Sequence, residues 1–445
     1  MAGTPAAAPH SVDLGPVLEE AGLARRHGVL EADGVSLAEI AAQVGTPVYV
    51  YDAEVIGRRY RALDRALSVV PHRICFAVKA NSNLAVLRVL RDLGAGADLV
   101  SGGELARARA AGFASEDVVF SGVGKTAAEL RSAVETGVAH VNVESLQELD
   151  RLAQVAGEIG GFVSVGIRVN PDVTAETHPY ISTGQGGIKF GVPVDQVATA
   201  VDLIRQSPYL RLACLAMHIG SQLLEPAPYA QGLSKLVALV EKIRRSGIKT
   251  LRVIDIGGGL GIRYGQEPGM DIDRFAAALL PFLGPLGLTV YLEPGRYLVG
   301  PAGVLVTEVL YRKHSGGKDF VIVDAAMNDL LRPSLYQAYH GIVEVESQGR
   351  PVATVDVVGP ICETGDFLAT DRALPGVEPG ERLAVLGAGA YGFVMSSNYN
   401  TRARAAEVLV RDGRWAVVRP REAVEELFKT EAVDPFTPVT VGKGK

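Results

Sequence analysis

From about residue 73 the chain alternates short apolar, largely β-branched runs with longer segments whose apolar positions recur every three or four residues. The short runs at residues 74–79, 97–101, 118–121, 140–143, 164–170, 212–219, 251–256 and 289–292 predict strands. The longer segments, clearest at 83–93, 103–111, 145–157 and 229–245, predict amphipathic helices. Strand–helix alternation demands a parallel sheet, and eight strands over roughly 250 residues favour a closed (β/α)8 barrel over an open sheet. One long uncharged stretch, 275–292, is broken by Pro281, Gly284, Pro285 and Gly287. It reads as a helix, a turn and a strand rather than a membrane span.

After Pro301 the pattern changes. Runs at 304–309, 320–323, 352–358, 383–386, 406–410 and 415–418 are separated by Gly, Pro and charged turns, with little helical periodicity. They predict an antiparallel β domain, a sandwich or barrel, C-terminal to the TIM barrel. The run at 47–51 precedes the barrel and is expected to pair with this second domain. The expected organisation is a segment 1–52 packing on the C-terminal domain, a barrel at 53–301, a β domain at 302–436 and a tail at 437–445.

Composition narrows the function classes. Across 445 residues, 48% are hydrophobic and 21% charged, as in a globular enzyme. The net charge of −6 comes with no basic block, which argues against a nucleic-acid partner. The start, MAGTPAAAPH, lacks the basic and apolar regions of a signal peptide. Cys75, Cys214 and Cys362 are odd in number and far apart, so they predict neither a disulfide framework nor a metal site. A reducing cytoplasm is the expected compartment.

In a barrel the usable site lies at the C-terminal ends of the strands, and reactive residue types gather there. Lys79 ends the first apolar run, where an ammonium is costly unless paired or used, and where burial can free a nucleophilic amine. Asp98 lies in the second strand and Arg168 in the fifth. His218 and Ser221 end the sixth. Gly257, Gly258 and Gly259 follow the seventh in a turn whose amides can approach an anion closely, and Glu293 and Arg296 follow the eighth. Taken singly, each is also readable as a satisfied core or loop residue; their common rim is what argues for chemistry. A second glycine pattern, Gly387-Ala-Gly-Ala-Tyr-Gly392, matches the dinucleotide fingerprint but lacks a helix-forming sequence after it, so no dinucleotide domain is expected there.

The ordered motifs FAVKAN, HIGSQ, DIGGGLGI, LEPGRYLV and a late Cys-Glu pair resemble the alanine-racemase-like-fold amino-acid decarboxylases that use pyridoxal 5'-phosphate. The segments 187–191, 327–336 and 359–366 are most similar to the diaminopimelate decarboxylase branch, and the likeness runs from Gly45 to Arg402. It implies that Lys79 holds the cofactor covalently with Asp98 and Arg168 close by, and that His218 stacks on the pyridine ring. It implies that Ser221, Gly257–Gly259, the Glu293–Arg296 backbone including Gly295, and Tyr391 hold the phosphate, while Glu293 pairs with the ring nitrogen. Arg296, Arg332, Tyr336 and Tyr391 would bind substrate. Cys362, as proton donor, and Glu363 would arrive from the other subunit of a homodimer.

The implied reaction is decarboxylation of meso-2,6-diaminopimelate to L-lysine and CO2. Sister decarboxylases of ornithine, lysine, carboxynorspermidine or a carrier-bound amino acid are the alternative. A racemase would share the barrel and Lys79, but the Cys362-Glu363 segment argues against it. A catalytically silent relative could dispense with Lys79, Cys362 and the glycines, and this chain has them all.

Overall fold

The computed structural model describes residues 12–173 and 189–433. Part of the motif at 187–191 and the whole tail from 437 lie outside the described residues.

Eight parallel strands form a closed ring: β1 (His72–Ala77), β2 (Gly96–Leu99), β3 (Val118–Phe120), β4 (His140–Val143), β5 (Val163–Asn170), β6 (Leu210–Ala216), β7 (Val253–Asp255) and β8 (Thr289–Leu292). Each pairs with the next, and β8 pairs with β1. β2, β3 and β4 are buried at every position, as strands covered on both faces must be. Two predicted strand ends move inward. β1 stops at Ala77 and Lys79 sits on a 3-10 turn, Val78–Ala80. β2 stops at Leu99 because Ser101 is taken up as a helix cap, its hydroxyl accepting from Glu104 N at 3.2 Å. The run at 275–292 folds as helix Ile272–Leu283, the turn Gly284–Leu286 and β8.

The second sheet is built from β9 (Gly303–Ser315), β10 (Lys318–Val323), β11 (Ile342–Glu344), β12 (Val352–Val358), β13 (Phe367–Pro375), β14 (Arg382–Val385), β15 (Ala406–Arg411) and β16 (Arg414–Arg419). The early strand Val48–Asp52 lies inside it, between β9 and β15. Pairing is antiparallel except at β10–β12 and at the early strand with β15, which are parallel. Both exceptions join strands separated by other elements, where no hairpin dictates direction.

The two bodies are stitched by buried polar contacts. Tyr51 Oη and Asn83 Nδ2 donate to the Glu407 carboxylate at 2.8 and 3.0 Å, and Arg419 pairs with it. Tyr391 N donates to Ala80 O at 2.8 Å, and Asn81 Nδ2 to Gly389 O at 3.0 Å. The loop after β14 is thereby laid over the Lys79 turn. That loop is the second glycine pattern, and only a 3-10 turn, Phe393–Met395, follows it. Its glycines serve packing: a Cβ at Gly389 would sit 1.8 Å from Val299 O. Among the described residues no helix is long and apolar enough to cross a membrane.

Candidate active site

Lys79 stands at the mouth of the barrel with its side chain 35% accessible, while Asp98 beside it is fully buried. Lys79 Nζ donates to Asp98 Oδ2 at 2.8 Å. Burial works against the ammonium, but the charges of Asp98, Tyr391 and Glu293 outweigh it and raise the pKa above the usual lysine value. The amine is therefore held protonated and must give up a proton before it can act as a nucleophile.

Behind Lys79 lie two further carboxyls, Asp255 and Glu293, 0% and 9% exposed. Asp255 Oδ1 accepts from Gly257 N at 2.8 Å. Ser121 Oγ donates to Glu293 Oε1 at 3.4 Å and is itself held by Asn142 Nδ2 at 3.2 Å. Burial, then the charges of Asp255 and Asp98, pushes Glu293 well above the carboxylate range, and burial lifts Asp255 to about 6. Three buried carboxyls face one ammonium, so an added cationic N–H is electrostatically welcome here.

His218 follows β6. Gly258 N donates to its Nδ1 at 3.1 Å, and burial, followed by the charges of Arg168 and Lys79, holds its pKa well below normal. A neutral ring presents an uncharged face. Arg168 Nη1 is bound to Glu144 Oε1 at 2.7 Å, and its guanidinium lies 4.9 Å from the centre of the Phe190 ring.

The turn at Gly257–Gly259 is packed so tightly that side chains are excluded. A Cβ at Gly258 would lie 2.1 Å from Glu293 O, and one at Gly259, where φ is +96°, 2.2 Å from Gly220 O. Gly295 is pressed against the Lys79 turn, its Cβ position 2.9 Å from Ala80 Cβ. Among the described residues, the amides of Gly259 and Gly295 donate to no backbone or side-chain oxygen. They are available to an anion. The donor set thus fits pyridoxal phosphate: an amine, carboxyls that favour a protonated ring nitrogen, a neutral imidazole, and a glycine cradle with free amides.

Arg296 and Arg332, each 6% exposed, stand on the outer side of the site. Arg296 donates from Nη1 to Tyr264 Oη at 2.7 Å and from Nη2 to Ser221 Oγ at 3.0 Å. Arg332 Nη1 donates to His340 Nε2 at 2.8 Å. Neither guanidinium meets a carboxylate among the described ion pairs, yet buried charges are ordinarily paired. Tyr391, at a φ of +56°, places its ring 5.0 Å from the Arg296 guanidinium. Tyr336 ends the short helix Arg332–Tyr336.

The structure therefore gathers Lys79, Asp98, His218, Ser221, the glycines, Glu293, Arg296, Arg332 and Tyr391. Cys362 and Glu363 are exposed, and among the described hydrogen bonds and ion pairs Lys79 meets Asp98 and neither of them. Their loop is shaped by buried Asp366, which accepts from Ile361 N and Met327 N at 2.7 Å each. It is tied to the Arg332 helix by Ser334 Oγ donating to Gly365 O at 2.7 Å.

Tyr264 and His340 escaped the sequence reading. A lone tyrosine after a glycine turn and a lone histidine carry no local signal; only the fold brings them to the arginines. Two further buried groups, His140 and Cys214, bring ligand atoms within 4.8 Å of Asp255 and of each other. Burial raises the Cys214 thiol and lowers His140 to about 3, so these two behave as barrel core.

Residues 53–300 match the family model described as the pyridoxal binding domain of pyridoxal-dependent decarboxylases. The diaminopimelate decarboxylase of Pseudomonas aeruginosa is 51% identical over 92% of this chain and 98% of its own. That of Aquifex aeolicus is 48% identical over 89% and 94%. The crystal structure of diaminopimelate decarboxylase from Helicobacter pylori, complexed with L-lysine, superposes with a TM-score of 0.85 at 40% identity, covering 88% of this chain and 98% of that one. With the lysine, carboxyl and glycine constellation at its barrel mouth, the chain belongs to the pyridoxal-dependent decarboxylases, in the diaminopimelate decarboxylase family.

Proposed function

We propose that the protein decarboxylates meso-2,6-diaminopimelate to L-lysine and CO2, the closing step of lysine biosynthesis. The observation that carries this reading is the pair of buried guanidiniums, Arg296 and Arg332, beside the Lys79 site, with no carboxylate partner among the described residues. Diaminopimelate has a second amino-acid end that survives the reaction, and its carboxylate suits a planar, bidentate donor. Substrates without it leave two buried charges uncompensated and are disfavoured.

Pyridoxal phosphate, bound through Lys79, supplies the electron sink for the charge left when CO2 departs. The chain's residues do the rest. Asp98 orients the Lys79 amine and takes up its positive charge. Glu293 would pair as a carboxylate with the ring nitrogen and so keep that nitrogen protonated. His218 offers its neutral face to the ring, and Arg168 keeps a positive charge behind that imidazole. The amides of Gly259 and Gly295, with Ser221, Tyr391 and the turn Gly257-Gly258, hold the phosphate. Arg296, Arg332 and Tyr336 take the distal carboxylate.

A proton must then reach Cα, and Cys362 is the donor in this reading, with Glu363 holding the distal amine. Their exposure in the single chain supports a role at a partner's site, and hence a homodimer. Three free cysteines support a reducing, cytoplasmic setting. The 53–301 and 302–436 domain division belongs to the same reading.

The test is to incubate the cofactor-loaded protein with meso-diaminopimelate and assay lysine and CO2. Equimolar products support the assignment. Cofactor binding without lysine formation would shift it to another amino-acid substrate.

A further inference from the structure

Tyr264 lies in the loop after β7, between the two arginines. Its phenol oxygen accepts from Arg296 Nη1 at 2.7 Å, and its ring centre lies 4.8 Å from the Arg332 guanidinium and 5.9 Å from that of Arg296. The edge of the His340 ring meets it at 5.1 Å, with the planes at 76°. His340 is completely buried. Its Nδ1 donates to Leu386 O at 2.7 Å, which leaves Nε2 as the acceptor for Arg332. One backbone carbonyl thus sets the imidazole tautomer, and the imidazole sets Arg332.

The ring has a shaped seat. A Cβ at Gly387 would lie 3.1 Å from Tyr264 Cδ1 and Cε1. The first glycine of the misleading dinucleotide pattern is therefore the floor on which this tyrosine rests. Arg296 is held at Nη1 by Tyr264 and at Nη2 by Ser221, while its buried Nε has no partner among the described residues. A guanidinium pinned at two corners with a spare donor is a prepared receptor.

We propose that Tyr264, seated on Gly387 and backed by His340, is the positioning residue that fixes Arg296 and Arg332 as a carboxylate receptor, and so sets selectivity for substrates with a distal carboxylate. The aromatic face screens two like charges from each other, and the phenol fixes the plane of one of them. The electrostatics agree: although burial opposes it, the two arginines hold the Tyr264 phenol below its ordinary pKa. This inference rests on the reading of the arginine pair given above.

The experiment titrates the holoenzyme calorimetrically with two seven- and five-carbon probes: pimelate, with carboxylates and no amine, and cadaverine, with amines and no carboxylate. In Tyr264→Phe, which keeps the ring on its seat, pimelate binding should weaken about tenfold, as expected for a lost hydrogen bond to a charged group. Cadaverine binding should change less than about twofold on the same scale. His340→Leu should reproduce the loss, and His340→Gln, which restores an acceptor, should recover part of it. Equal weakening of both probes, or none for pimelate, overturns the role of Tyr264. A wild-type enzyme with no preference for pimelate over cadaverine overturns the arginine receptor itself, and the inference with it.

Discussion

At the scale of single residues, the site depends on charges that the fold leaves deliberately out of balance. Lys79 is held as an ammonium by Asp98, so the substitution Lys79→Ala removes both the proposed covalent anchor and the ammonium that faces three carboxyls. The variant is expected to lack the visible absorbance of bound cofactor and to show no turnover; a retained band would show that Lys79 is not the anchor. In the proposed reaction Cys362 acts later, on the proton. Cys362→Ala should lower kcat by at least about a hundredfold, the usual worth of a placed acid, with KM little altered. Stopped-flow turnover with diaminopimelate checks this, and an unchanged kcat would move the proton to another group. Lys79, Asp98, Glu293 and the glycines were legible in the sequence because each sits next to a strand end whose hydrophobic pattern is plain. Tyr264 and His340 were not, because their meaning lies in contacts between separate segments.

At the scale of elements, caps decide where chains turn. Asp52 begins helix Ala53–Ala66, its Oδ1 accepting from Glu54 N at 2.8 Å and Val55 N at 3.1 Å. Burial lifts this carboxyl to about 6, against the lowering effect of those two amides. Its ordinary value is about 3.9. Between these values the unfolded chain releases the proton first, so rising pH costs stability through that window, by about 3 kcal/mol once complete. Asp52→Asn keeps the cap without the charge. Its melting temperature should therefore gain on wild type between about pH 4.5 and pH 8, whereas Asp52→Ala, which lacks both the charge and the cap, should lie about 1 kcal/mol below the Asn variant at every pH. A pH-independent difference for the Asn variant would refute the charge explanation. The predicted strands at 97–101 and 251–256 were each too long for a related reason. Apolar periodicity marks buried runs, but Ser101 and Gly257 are claimed by a cap and a turn, and such claims are tertiary events.

At the scale of the molecule, the proposed sharing of sites between two subunits makes an arithmetic prediction. Lys79→Ala and Cys362→Ala should each be inactive alone. Mixed and allowed to exchange, half of the dimers become hybrids with one intact site of two, so about a quarter of wild-type activity should return. No recovery would argue that Cys362 serves its own chain. The barrel was legible as a whole because eight buried strands repeat one pattern. The second sheet was legible only as a set of strands: its order, and the two parallel pairings, depend on partners far apart in sequence.

One of those partners has a consequence for how the protein is made. Tyr51 and Glu407, hydrogen-bonded in the finished molecule, are 356 positions apart in the chain. The strand Val48–Asp52 leaves the ribosome early and has no neighbour until β9 emerges, and no second one until β15. The barrel can close during synthesis, domain by domain, while this early strand waits with unpaired edges. Arg332, Cys362 and the strap over Lys79 emerge after the barrel and before β15. A nascent chain thus carries a complete barrel well before it carries a complete enzyme, and chains truncated before β15 should be both inactive and prone to stick through that waiting edge.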